Sequence, residues 1–189
     1  MRRALFFGSF NPVHVGHLII AQSVLNLDQT DTVEFVLSPQ NPFKTSNELL
    51  PLESRLKFLE TSIKGQAQFS VNTIEFDLPL PSFTSTTLSE LKSRFPSDTF
   101  SLIMGSDTLS ALPKWKSPET ILAHQIYVYP RPGEHQQPYP DESNIIELES
   151  SMLDISATVI RKMLKAGKSV KYLVRDEIID DLKHLFVSL

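Results

Sequence analysis

The chain has 189 residues, 41% of them hydrophobic and 21% charged, enough to bury one good core and few for two. We therefore expect one domain spanning 1–189. Lys plus Arg number 18 against 22 Asp plus Glu, a formal charge of −4, so there is no global basic field to hold a nucleic-acid backbone. Cysteine is absent, which removes disulfides, thiolate metal sites and cysteine nucleophiles together.

The opening MRRALFF has the charge and apolar start of an export signal, but Ser9, Asn11 and His14 break the apolar run before any A-x-A-like site. No uninterrupted apolar stretch approaches the ~20 residues that span a bilayer. The expectation is a cytoplasmic chain without a membrane segment. RALFF at 3–7 reads as a strand ending at Gly8. After a Ser/Asn/Pro turn, Val15, Leu18, Ile19 and Leu25 recur at helical spacing. VEFVL at 33–37 is the next strand, and a Pro/Asn-rich loop leads to a helix over 53–64. FSVNTIEF at 69–76 alternates as a strand does, and TSTTLSELKSRF at 84–95 follows as a helix. TFSLIMG at 99–105 is near-continuously apolar, as in a strand covered on both faces. In SPETILA at 117–123, Ser117 is a candidate cap and Pro118 the first helical residue. QIYVY at 125–129 is a strand, residues 130–144 carry four prolines and read as an exposed loop, and IIELES is a short strand. Two helices close the chain, starting near Ser156 and Asp176. Strands alternating with helices predict α/β architecture, a doubly wound parallel sheet with ligands at the carboxyl ends of its strands.

The first loop, FGSFNPVHVGHL at 7–18, carries two of the six glycines and two of the five histidines. At Gly8 a missing Cβ would admit a ligand or a positive φ. His14 begins a helix, where free N–H groups and the dipole favour an anion, most naturally phosphate. His14 and His17 share one face with Cβ atoms roughly 5–6 Å apart, and Gly16 between them leaves room for something to lie against the helix. Two imidazoles there could donate to phosphate oxygens. A glycine turn with two packing histidines is the bland alternative. A His-x-x-His zinc site is disfavoured, since no Glu or His partner follows at familiar spacing. Neither G-x-x-x-x-G-K-[ST] nor G-x-G-x-x-G is present.

ISATVIRKMLK offers a second anion site. Ser156 can cap its helix, and Thr158 and Arg161 sit three apart near the N-terminus, where the guanidinium could fork to phosphate. Taken alone, a capped amphipathic helix with a surface arginine is the more ordinary reading. Trp115 lies in a loop, where stacking on a flat ring and partial burial against the next helix are about equal explanations. Asp107 follows a strand and could bind sugar hydroxyls or cap a helix, whereas Lys114 and Lys116 read as solvated neighbours.

GSFNPVHVGH and ISATVIR together resemble the two signatures of the nucleotidyltransferase superfamily. PQNPFK, PSFTSTTL, LIMGSDTLSALPKWK and YPRPG resemble, in order, segments of bacterial nicotinate-nucleotide adenylyltransferases. The resemblance covers essentially the whole chain. It implies a Rossmann-like fold of nucleotidyltransferase type with C-terminal helices, joining ATP and nicotinate mononucleotide into deamido-NAD and pyrophosphate. It also implies that His14, His17 and Arg161 hold the ATP phosphates, with Gly8, Ser9, Phe10, Gly16, Ser156 and Thr158 around the nucleotide. Lys44, Thr84, Gly105, Asp107, Trp115 and Arg131 would meet the mononucleotide, Asp107 at the ribose and Trp115 on the ring. Asn11 stands where the motif often has Asp, and Phe43 where many members have a histidine side-chain donor. A magnesium ion held mainly by the phosphates is implied, with no protein ligand assigned; a homo-oligomer is compatible with the sequence. A pantetheine-phosphate adenylyltransferase or a cytidylyltransferase would share the two signatures, but Trp115, PSFT and the middle segments argue against both. A nucleotide-binding regulator without turnover is the alternative from another class.

Overall fold

The computed structural model describes residues 1–40, 49–133, 137–139, 142, 144–149 and 155–187. Six strands form one parallel sheet: β1 (Arg2–Gly8), β2 (Thr32–Leu37), β3 (Phe69–Asn72), β4 (Thr99–Gly105), β5 (Gln125–Tyr129) and β6 (Ile145–Glu147). Their order is β3-β2-β1-β4-β5-β6, the doubly wound Rossmann-like arrangement expected, and the direction of winding reverses between β1 and β4.

Alternation along the strands assigns side chains to two cores. Ala4 and Phe6 of β1, Phe35 of β2 and Ile103 of β4 face one side. There they meet helices α1 (Val15–Leu25), α2 (Leu52–Ile63), α6 (Ala157–Lys165) and α7 (Ile179–Val187). Leu5, Val36, Leu102 and Met104 face the other side, covered by α3 (Thr84–Arg94), α4 (Ser106–Ala111) and α5 (Pro118–Leu122). Strands buried on both faces explain the near-continuous apolar runs. The C-terminal helices are set by local signals. Ser156 Oγ accepts from the Val159 amide at 3.3 Å, and Gly167 takes φ +65° beyond the other end. The Gly167 amide then donates to the Leu164 carbonyl and that of Lys168 to Met163, closing α6 in a Schellman turn.

Three expectations are corrected. The run 69–76 is a strand only to Asn72, whose Oδ1 accepts from the Ile74 amide at 2.9 Å and turns the chain into a 3-10 segment, Ile74–Asp77. Ser117 occupies the cap position of α5 with φ +51°, but its side chain makes no capping hydrogen bond. The loop 130–144 is not simply exposed: Tyr139 packs on the second core, and Asn144 Nδ2 donates to the carbonyls of Leu122 and His124. Among the described residues, no helix is long and apolar enough to cross a membrane.

Candidate active site

The loops that follow β1, β4 and β5 meet at the reversal point, where open α/β sheets take ligands. The β1 loop is built around aromatic packing. Phe10 has φ +42° and is buried, its ring edge-on to those of Phe6, Phe35 and His17. A Cβ on Gly8 would stand 3.0 Å from that ring. So the space Gly8 leaves open is taken by Phe10, and the positive φ belongs to Phe10 rather than to the glycine. Only the backbone of Phe10 remains available for a nucleotide. Ser9 is buried, with no hydrogen-bond partner for its Oγ among the described residues.

His14 is the residue before α1, and its ring stacks on that of His17 with centroids 3.7 Å apart and 25° between planes. A Cβ on Gly16 would lie 3.0 Å from His14 Nδ1, so what lies against the helix at Gly16 is the imidazole itself. The Val15 amide donates to the Leu173 carbonyl and the His17 amide to the His14 carbonyl, both at 2.9 Å. Two of the first three helical amides are thus engaged, and the start of α1 presents its dipole and imidazoles more than a crown of free N–H groups. His17 Nδ1 accepts from the His14 amide at 3.2 Å. An accepting Nδ1 carries no proton, which makes Nε2 the donor of the neutral ring.

Burial, with the positive charge of Arg131 adding to it, pushes the His14 pKa down to about 4. A buried neutral imidazole makes stability depend on pH. The unfolded chain binds the extra proton between about 6.5 and 4, so this contribution is complete above 6.5 and is lost as pH falls to 4. At the plateau it is on the order of 3 kcal/mol, from 1.4 kcal/mol per pKa unit. Urea unfolding between pH 7.5 and 4.5 should show that loss in the native chain, and a clearly shallower slope in His14→Gln.

Arg161 joins the two sequence signatures. Its guanidinium donates to the Asn11 carbonyl at 2.8 Å and to Thr158 Oγ1 at 3.3 Å, so the start of α6 is docked on the β1 loop. Asn11 in turn accepts from the Leu50 amide through Oδ1 at 2.8 Å. On the other side of the reversal point, a Cβ on Gly105 would fall 2.4 Å from Asp107 Oδ1 and 2.9 Å from Arg131 Cγ. Glycine here lets the acid and the arginine converge, with Nε and Oδ2 at 3.6 Å. Asp107 lies inside the first turn of α4, while Gly105 holds the cap position. Beside them is a small pocket of about 60 Å³ lined by Phe7, Thr84, Gly105, Thr108, Trp115 and Tyr129, among others. Trp115 is half-buried: it packs on the second core, as the burial explanation has it, and also lines this pocket. Lys114 and Lys116 are exposed, with Lys116 Nζ 4.8 Å from the centre of the Phe83 ring. Lys44 and Phe43 lie outside the described residues.

The sequence reading missed Arg55 and Glu75. Arg55 is 1% exposed, and burial lowers its pKa to about 10. It donates to the carbonyls of Ser9, Ser38, Pro39 and Leu50, holding the loops after β1 and β2 together from beneath. Its spacing with Phe58, Leu59 and Ser62 along one buried helix face was the available signal.

These features, a parallel sheet with an imidazole-bearing loop at the reversal and an arginine helix docked on it, define a nucleotidyltransferase, and residues 5–163 match the family model for cytidylyltransferase-like proteins. A probable nicotinate-nucleotide adenylyltransferase from Cytophaga hutchinsonii is 42% identical over 94% of this chain and 93% of its own. One from Christiangramia forsetii is 38% identical over 92% and 91%. The chain belongs to the nicotinate-nucleotide adenylyltransferase family. Its fold is similar to that of Plasmodium falciparum nicotinic acid mononucleotide adenylyltransferase, solved in complexes with APC and with NaAD. The TM-score is 0.78 at 18% identity, over 97% of this chain and 95% of that one.

Proposed function

We propose that the protein transfers the adenylyl group of ATP to nicotinate mononucleotide, releasing pyrophosphate and forming deamido-NAD in the cytoplasm. One observation carries the reading: a cluster of imidazoles and a guanidinium, His14, His17 and Arg161, adjoins an aromatic pocket lined by Thr84, Gly105, Trp115 and Tyr129, the two joined through the Phe6 ring, which meets both His17 and Tyr129, with Arg131 packed at Gly105. A triphosphate suits the first and a flat heterocycle the second. The chain is acidic as a whole, so two polyanionic substrates need the local positive charge of Arg161 and Arg131, to which the imidazoles add hydrogen-bond donors.

The mononucleotide phosphate attacks the α-phosphorus in line and pyrophosphate leaves, a reaction that needs positioning and charge stabilisation and no protein nucleophile. His17 Nε2–H donates to the oxygens on which charge builds, His14 lies against its ring, and Arg161 presents a fork to the leaving group. Ser156 and Thr158 stand beside that fork, Ser9 and the backbone of Phe10 line the loop below it, and Asp107 faces the acceptor ribose. Lys44 and Arg131 add positive charge for the acceptor phosphate. Donors of this kind fit phosphate oxygens rather than a cation, and among the described residues no group of three or more His, Asp or Glu could hold a metal ion. A magnesium ion would accordingly be held by the phosphates and water, where it neutralises charge on the triphosphate.

Pyrophosphate release measured with ATP and nicotinate mononucleotide, its amide analogue, pantetheine phosphate or no acceptor tests the assignment. Turnover should be greatest with nicotinate mononucleotide. Release with pantetheine phosphate alone, or with CTP in place of ATP, overturns the reading, and binding of ATP with no release in any arm indicates a regulator.

A further inference from the structure

Glu75 is 2% exposed, in the 3-10 segment after β3. Its carboxylate accepts three hydroxyl hydrogen bonds: Ser38 Oγ at 2.8 Å and Ser82 Oγ at 2.7 Å on Oε2, and Thr87 Oγ1 at 3.0 Å on Oε1. The donors come from two stretches far apart in sequence: Ser38, the residue after β2, and Ser82 and Thr87, on either side of the start of α3. Ser82 and Thr87 bracket Thr84, which lines the pocket with Trp115. Ser38 reaches the other way. Its amide donates to the Gly8 carbonyl at 2.9 Å, and its own carbonyl accepts from Arg55 at 2.8 Å. Arg55 in turn holds the carbonyl of Ser9 at 2.9 Å. One chain of hydrogen bonds, buried at Arg55 and Glu75 and half-buried at Ser38, thus runs from the phosphate loop to the edge of the aromatic pocket. A buried acid satisfied by three hydroxyls fixes orientation, because each donor must keep its place for the carboxylate to stay solvated.

We propose that Glu75 is a positioning residue for the acceptor: through Ser82 and Thr87 it fixes the Thr84 edge of the pocket, and through Ser38 it keeps that edge in register with the phosphate loop. The proposal rests on the reading of the Thr84–Trp115 pocket as the mononucleotide site. It separates two effects that a general loss of stability would blur. Weakening the network should loosen the first turn of α3 and the grip on the acceptor while leaving the ATP side, which is held by Arg161 and the imidazoles, little changed.

The test uses the whole protein with Glu75→Gln, and with Ser82→Ala and Ser38→Ala as milder variants that each remove one hydroxyl. In Glu75→Gln, the KM for nicotinate mononucleotide should rise about 10-fold or more while that for ATP stays within about 2-fold. Trp115 is the single tryptophan, so quenching of its fluorescence by the mononucleotide alone reads acceptor binding without turnover. The affinity measured this way should fall in parallel. The amides of Thr86 and Thr87, which donate to the Phe83 carbonyl at 2.9 and 3.0 Å, should exchange with solvent at least several-fold faster relative to amides of β4. The serine variants should move the same quantities less far. Equal rises in both KM values, or unchanged acceptor affinity and unchanged exchange at Thr86 and Thr87, overturn the proposal. If Glu75→Gln does not fold, the serine variants decide it by the same criteria. A native enzyme that neither releases pyrophosphate with the mononucleotide nor shows quenching overturns the functional reading instead. The exchange comparison still decides whether Glu75 holds the turn.

Discussion

His17→Ala is expected to lower kcat by about 10²- to 10³-fold, the range lost when one preorganised donor to a developing oxyanion is removed. The loss should fall on kcat and kcat/KM alike, because the bond strengthens as charge builds on the phosphate oxygens. The hydrogen bond from the His14 amide to Nδ1 is what makes this prediction sharp, since it fixes which ring nitrogen is the donor. The fold should survive. His17 is half-buried at the edge of an aromatic cluster, so its removal takes away ring contacts with Phe6, Phe10 and His14 without opening the sheet. Steady-state pyrophosphate release together with a thermal melt checks both parts. A near-normal rate in a folded variant would sink the assignment of His17 as a catalytic donor.

Arg161→Ala should cost about 10²-fold or more in kcat/KM for ATP, for two reasons that separate experimentally. A charged fork is lost from the phosphates. The tether to the Asn11 carbonyl is lost as well, and a hydrogen bond from a charged donor contributes about 1.5–3 kcal/mol, so urea stability should also drop measurably. Arg161→Lys keeps the charge but offers no planar fork, and should recover part of the ATP affinity and little of the tether. If Lys restores both fully, the role of Arg161 is that of a simple point charge and the docking function falls.

Much of the fold was legible because it follows from periodicity. Apolar runs in β1, β4 and β5 and the helical spacing of α2 and α3 place those elements to within a residue or so. The 3-10 turn after Asn72 was not legible, since a side-chain hydrogen bond overrode an alternating pattern. In the candidate site the two signatures read from the sequence come together, with Arg161 of the second on Asn11 of the first. The parts played by the glycines were less visible. Gly8 and Gly16 looked like openings for a ligand, whereas each makes room for a ring of this chain, Phe10 and His14 respectively. That depends on where a side chain swings after the backbone is set. Arg55 and Glu75 escaped notice because a charged residue in an amphipathic or alternating segment reads as a surface residue. Only the carbonyls and hydroxyls contributed by distant loops reveal that they are interior.

The bond from Arg161 to Asn11 spans 150 positions of sequence. A ribosome therefore releases the histidine loop long before the helix that docks on it, and for most of synthesis the two signatures cannot meet. The central strand β1 must likewise wait for β4 on its far side. If the two signatures grip the triphosphate as proposed, ATP capture is tied to the last stages of assembly, and a chain stalled or clipped before α6 would hold much of the sheet and lack the arginine that docks on its histidine loop.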